Sequence, residues 1–137
     1  MKFGASTACF YPLETEKALK KVCELGYKYA EVFMNAPSEL EEPFLKQLNT
    51  IAKDGGTDIV SVHPFSSFME SSCIFTDYQR RFDDFISIYD KTCHAAAVLG
   101  AEYVVIHGAV AHPKILFRMK DILTGLTSLS KSESVRV

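Results

Sequence analysis

The feature that most constrains this chain is a recurring helix–glycine–strand unit. Leu25-Gly26-Tyr27-Lys28-Tyr29-Ala30-Glu31-Val32-Phe33 closes an apolar-periodic segment with glycine and opens a run of strand formers. Leu99-Gly100-Ala101-Glu102-Tyr103-Val104-Val105-Ile106-His107 repeats the arrangement two units later, and Gly55-Gly56-Thr57-Asp58-Ile59-Val60-Ser61-Val62-His63 fits the same template between them. Glycine ends a helix well because it enters the left-handed conformation without a Cβ clash. Short strands alternating with long helices lie parallel, each helix crossing back over the sheet in the right-handed sense. Two architectures satisfy that rule: an open doubly wound sheet, or part of a (β/α)8 barrel.

The periodicity predicts strands near residues 2–8, 28–34, 58–63 and 103–107, and helices over 13–25, 38–53 and 78–99. Leu13, Ala18, Leu19, Val22, Cys23 and Leu25 make one apolar face. Leu40, Phe44, Leu48, Ile51 and Ala52 make a second, and Phe82, Phe85, Ile86, Tyr89, Cys93, Ala96 and Ala97 a third. Pro12, a capping box of Ser38 with Glu41, and Asp77 are the expected start signals. Val104-Val105-Ile106 and Ile59-Val60-Ser61-Val62 read as strands buried on both faces. After Pro113, residues 115–123 are expected to begin a further helix, and the Ser-rich ending is expected to fray.

Composition narrows the function classes. Fifteen Lys+Arg against 17 Asp+Glu give a formal net charge of -2 over 137 residues, which argues against affinity for phosphate backbones. No apolar run approaches the roughly 20 residues of a membrane-spanning helix, and no secretory signal is recognisable, so a cytoplasmic protein is expected. The four cysteines are scattered with no C-x-x-C, so they read as reduced, packing residues. No G-x-G-x-x-G follows a strand and no G-x-x-x-x-G-K-[ST] occurs, which removes support for nucleotide-binding forms of the open sheet.

In parallel α/β sheets, ligands bind beyond the carboxyl ends of the strands. That rule singles out residues 31–35, His63 and His107. Strands lie about 4.8 Å apart, so imidazoles at two adjacent strand ends can reach one metal ion. A lone strand-end histidine is more often a capping or hydrogen-bonding residue, and two imidazoles do not complete a site. His112 is a candidate third metal partner or substrate contact, against the plainer reading of an exposed loop residue. Glu31 is a candidate carboxylate ligand or base, with Phe33 weighed as the alternative inward residue. Phe10, Tyr11, Phe65, Ser66 and Ser67 are candidates to line a pocket, or else ordinary loop packing. His94 beside Cys93 is a poor nucleophile pair because adjacent helix residues diverge. Arg80 and Arg81 read as a solvated helix face.

Strand-end His63-Pro64 and His107-Gly108, with Glu-Leu-Gly-Tyr-x-x-x-Glu-Val at residues 24–32, resemble the amino-terminal half of the xylose isomerase-like TIM barrels over residues 1–112. That superfamily includes sugar phosphate isomerases/epimerases and endonuclease IV-type apurinic endonucleases. The resemblance implies a partial (β/α)8 barrel of about four parallel βα units. It implies a divalent metal (Zn, Mn or Mg): in the endonuclease branch His63 and His107 fall on metal ligands, whereas in the isomerase branch later strands hold most of the metal, these histidines contact metal or substrate, and Glu31 lines the pocket as the candidate catalytic carboxylate. His112, Phe10 and Phe65 would contact a sugar or sugar phosphate. The implied reaction is aldose–ketose isomerisation or epimerisation through an enediolate. An endonuclease-like phosphodiesterase and a non-catalytic association module are the alternatives, the first made less favourable by the acidic balance.

A whole barrel takes about 250 residues. The carboxylates that complete the metal site and the loops that recognise phosphate belong to its later strands. The expectation is therefore a truncated member with an incomplete metal site, inactive by itself, whose exposed half-barrel face favours a homo-oligomer.

Overall fold

The computed structural model describes residues 3–108 together with Thr124, Thr127, Ser128 and Arg136. Strand β1 (Gly4–Ser6) is followed by a 3₁₀ turn at Thr7–Phe10, helix α1 (Thr15–Glu24) and strand β2 (Tyr29–Phe33). A second 3₁₀ turn, Pro37–Leu40, leads into α2 (Glu42–Gly55) and β3 (Asp58–His63). Then come a short helix α3 (Glu70–Ile74), the long α4 (Gln79–Leu99) and β4 (Tyr103–Val104). The four strands form one parallel sheet in the order β1-β2-β3-β4. Sequential order with helical crossovers is the barrel alternative; a doubly wound sheet reverses its strand order at a switch point.

The helices cover one face of the sheet. Leu19 and Val22 of α1, Leu45 and Leu48 of α2, and Phe85, Tyr89 and Cys93 of α4 pack on Ala30, Val32, Ile59, Val62 and Val104. Truncating a fully buried leucine of this kind costs about 2–5 kcal/mol. Two helices stop where the sequence puts their glycines: Gly56 and Gly100 cap α2 and α4 at φ 64° and 71°. The side chain of Asn49 donates to Val98 O at 2.8 Å, tying α2 to the end of α4.

Several local expectations are corrected. Ser38 and Glu41 do not form a capping box: Ser38 lies in the 3₁₀ turn, and α2 starts at Glu42 with no side-chain cap. Pro43, in the first turn, sets that start instead because it gives up no helical hydrogen bond there. Asp77 is not the N-cap of α4; Tyr78 is. Leu13 and Leu25 fall outside α1 and are exposed. Helix α3 lies between the stretches over which the periodicity predicts a strand (58–63) and a helix (78–99), where no element is expected.

The strands are not buried on both faces. Ala30 and Val32 are buried, while Tyr29, Glu31 and Phe33 share the opposite, half-open face. In β3 the pairing passes from Ala30↔Ile59 to Glu31↔Ser61, so Val60 is an extra residue, a β-bulge. The bulge shifts the alternation. Ile59 and Val62 both face the helices, and Ser61 and His63 both face the open side.

Of residues 113–137, Thr124, Thr127 and Ser128 are helical and Arg136 forms a parallel bridge to Tyr103. The remainder of the expected helix and frayed ending lies outside the described residues. Among the described residues no helix is long and apolar enough to cross a membrane.

Candidate functional site

The carboxyl ends of the strands form one rim. At its β1 side, Thr7 Oγ1 accepts the Phe33 backbone N–H at 2.8 Å, so a side chain continues the ladder where β1 has turned away. Beyond β2, Glu39 Oε2 accepts the Asn35 N–H at 2.7 Å, and Asn35 Nδ2 donates to Thr15 Oγ1 at 2.8 Å. This network pins the rim to the start of α1.

The two strand-end histidines meet. Phe33 pairs with His63 in register, and their rings stack with centroids 4.4 Å apart. The His63 and His107 rings follow at 4.8 Å, tilted by 57°. His107 is not the last residue of its strand. Ladder bonding from β3 reaches Val105 N–H, which donates to Val62 O at 3.0 Å. Two residues on, His107 N–H donates instead to the carboxylate of Glu70.

Each imidazole presents Nδ1 to an acceptor. His63 Nδ1 lies 3.3 Å from Pro64 O, and His107 Nδ1 lies 3.1 Å from Glu70 Oε2. A carbonyl oxygen accepts only, so the His63 bond requires an Nδ1–H and leaves Nε2 with its lone pair. Burial holds His63 below the ordinary imidazole range, which favours the neutral, metal-binding form; the Pro64 bond and Glu31 pull the other way, and His107 adds a little to the lowering. Glu70 is fully buried and its carboxyl is pushed up by burial against the opposing bonds from His107.

Glu31 shares the open face with His63. Its Oε2 accepts the Ser61 hydroxyl at 3.2 Å, across the β2–β3 pair that the bulge brings into register. Phe33 is not its rival for the inward position, because residues two apart on a strand lie on one face. Phe10 is half-buried against the core. Phe65 lines a cleft of about 400 Å³ with Pro37, Leu40, Ile88 and Lys91, between the second 3₁₀ turn and α4. His112 lies outside the described residues. His94 bonds to Glu42 at 3.1 Å on the helical surface, away from the rim.

The donor chemistry suits a divalent cation in part. Two imidazoles with Nδ1 engaged by an acceptor are the usual form of histidine ligands, which bind through the other nitrogen. Among the described residues no group of three or more His, Cys, Asp or Glu side chains is placed to hold a metal.

Sequence reasoning missed Glu70. The available signal was its isolation: it is the sole charged residue between Pro64 and Thr76. A solvated loop of that length ordinarily carries several charges, so a single acid among Phe, Met, Cys and Ile marks a buried, paired group.

The order of strands, the helical layer and the shared rim define a partial (β/α)8 barrel fold. Among solved structures the chain is similar to a D-tagatose 3-epimerase-like protein (TM-score 0.80, 20% identity, 98% of this chain and 51% of that one). It is similar to D-psicose 3-epimerase crystallised in the presence of D-fructose (TM-score 0.75, 13% identity, 97% and 50%). A third similar structure is a sugar phosphate isomerase/epimerase from Parabacteroides distasonis (TM-score 0.68, 17% identity, 98% and 49%). The chain spans about half the length of each. No protein-family model matches the sequence, and neither does any curated protein.

Proposed function

We propose that this chain carries the amino-terminal half of a metal-assisted sugar epimerase or isomerase barrel, acting on a free or phosphorylated sugar in the cytoplasm. The observation that carries the reading is the pair of imidazoles at one rim, 4.8 Å apart, each with Nδ1 engaged. The similarity of fold to sugar epimerases supports the substrate class. The four free cysteines support a reducing compartment.

His63 and His107 would contribute two nitrogen ligands to a divalent cation, with further ligands from the rest of the barrel. When bound, such a cation polarises a sugar carbonyl and the neighbouring hydroxyl. Glu31 would exchange a proton at the adjacent carbon, its carboxylate oriented by the Ser61 hydroxyl. The Phe33 ring holds the His63 imidazole on its other face and limits its rotation. Phe10 and His112 are proposed sugar contacts. Phe65 is proposed as one through the loop that follows β3.

The test is Mn²⁺ titration of the chain, followed by relaxation broadening of imidazole resonances. Mn²⁺ broadens His63 and His107 in the parent, and His63→Ala and His107→Ala each weaken uptake by about tenfold or more. Unchanged uptake in both variants overturns the reading. Ketohexose epimerisation by this chain alone is expected to be absent, and turnover at ordinary enzyme rates would contradict the assignment of further ligands to other strands.

A further inference from the structure

We propose that Glu70 is a positioning residue: a single carboxylate oxygen grips both the backbone N–H and the Nδ1–H of His107, fixing the ring's place on the rim and its tautomer. The proposal deepens the functional reading and rests on it only in treating His107 as a ligand.

Three observations converge. First, Glu70 Oε2 receives two donors from the same residue, one from the main chain and one from the ring. One bond fixes where His107 leaves the strand; the second fixes how the ring is turned. Second, Glu70 has no exposure to solvent, while the side chain of His107 is 46% exposed. A carboxylate is costly to bury and is retained only where it is bonded to something that needs it. Here the partner is a half-exposed ring packed on one side by His63, whose turn about its own axis the carboxylate fixes. Third, the bond replaces a strand ladder. β4 ends at Val104, and without Glu70 the His107 N–H has no other acceptor among the bonds described for that segment.

Glu70 Oε1, Ser66 Oγ and Tyr89 OH are all buried with no hydrogen-bond partner among the described residues.

Long-range ¹H–¹⁵N spectra of the intact chain at about pH 8.5 read the tautomer directly. In the parent, His107 shows a protonated Nδ1 and a bare Nε2. Glu70→Leu removes the acceptor at similar volume, and His107 then loses the protonated-Nδ1 pattern while His63 keeps its own. Glu70→Gln retains a carbonyl acceptor and restores the parent pattern. In the folded Leu variant, Mn²⁺ affinity falls about 10- to 100-fold. A merely structural Glu70 would lower the melting temperature and leave the tautomer unchanged.

A parent His107 protonated on Nε2 overturns the proposal without any variant, so failure of Glu70→Leu to fold does not shelter it. An unchanged tautomer in a folded Leu variant overturns it as well. If Mn²⁺ reaches neither histidine while the tautomer responds as expected, the functional reading falls and the positioning role stands.

Discussion

Burial acts on His63 and Glu70 in opposite senses, and acid separates them. Burial disfavours the charged imidazole of His63, so the folded chain binds that proton less tightly than the unfolded chain. Stability from this group is full above the unfolded value of about 6.5 and falls as pH drops from there through the depressed folded value. Glu70 runs the other way. Its folded carboxyl lies above the unfolded range, so the folded chain holds the proton more tightly, and stability rises as pH falls through that raised value toward about 4.5. Thermal unfolding followed by circular dichroism between about pH 5 and pH 8 checks both signs. The parent loses ground to His63→Gln below about pH 6.5. It gains on Glu70→Gln over the acid range. Parallel curves for parent and variants would show that neither group is buried as described.

The elements are set by close contacts as much as by periodicity. A Cβ on Gly55 would sit 2.4 Å from Cys23 Cβ and 2.6 Å from its Sγ, so the end of α2 lies directly on α1. Helix propensity alone favours alanine over glycine by about 1 kcal/mol. The clash forces the two helices apart and outweighs it, so Gly55→Ala is expected to cost about 1 kcal/mol or more net in urea unfolding. In a Cys23→Gly background both clashing atoms are gone, and the same substitution should turn neutral or stabilising. A cost that persists in that background would place the contact elsewhere. The Val60 bulge is the other deciding contact. A one-residue slip exchanges the two faces of a strand, so without the bulge Ile59 and Ser61 would face the same way. With it, Ser61 and His63 join Glu31 and Phe33 on the open side while Val62 stays in the core.

At the scale of the molecule, the described residues present a sheet with one helical layer. The other face, with Tyr29, Glu31 and Tyr103, lines an open cavity of about 490 Å³. The two edges differ. Among the described residues β1 pairs only with β2, whereas β4 is met on its outer side by Arg136, whose N–H donates to Glu102 O at 2.7 Å and whose carbonyl accepts Val104 N–H at 2.8 Å. That contact has the direction and place of a fifth parallel strand. An unpaired β1 edge beside a half-covered face favours association. Light scattering should therefore give a mass that exceeds 15.3 kDa and grows with concentration in the micromolar range. A species of 15.3 kDa at every concentration would contradict it.

Alternation of units, the glycine caps and the apolar faces of α2 and α4 were legible in the sequence, because local periodicity and backbone sterics depend on neighbours along the chain. His63 and His107 were legible for the same reason: each follows a strand-forming run, and parallel strands end at one rim. Other features were decided only by packing across the chain. The start of α2, the bulge at Val60, the shared face of Glu31 and His63, and the grip of Glu70 on His107 depend on partners distant in sequence. A burial pattern shows that a strand exists. Which way its side chains turn, and which carboxylate reaches which ring, is fixed only when register and core packing bring those distant residues within bonding distance.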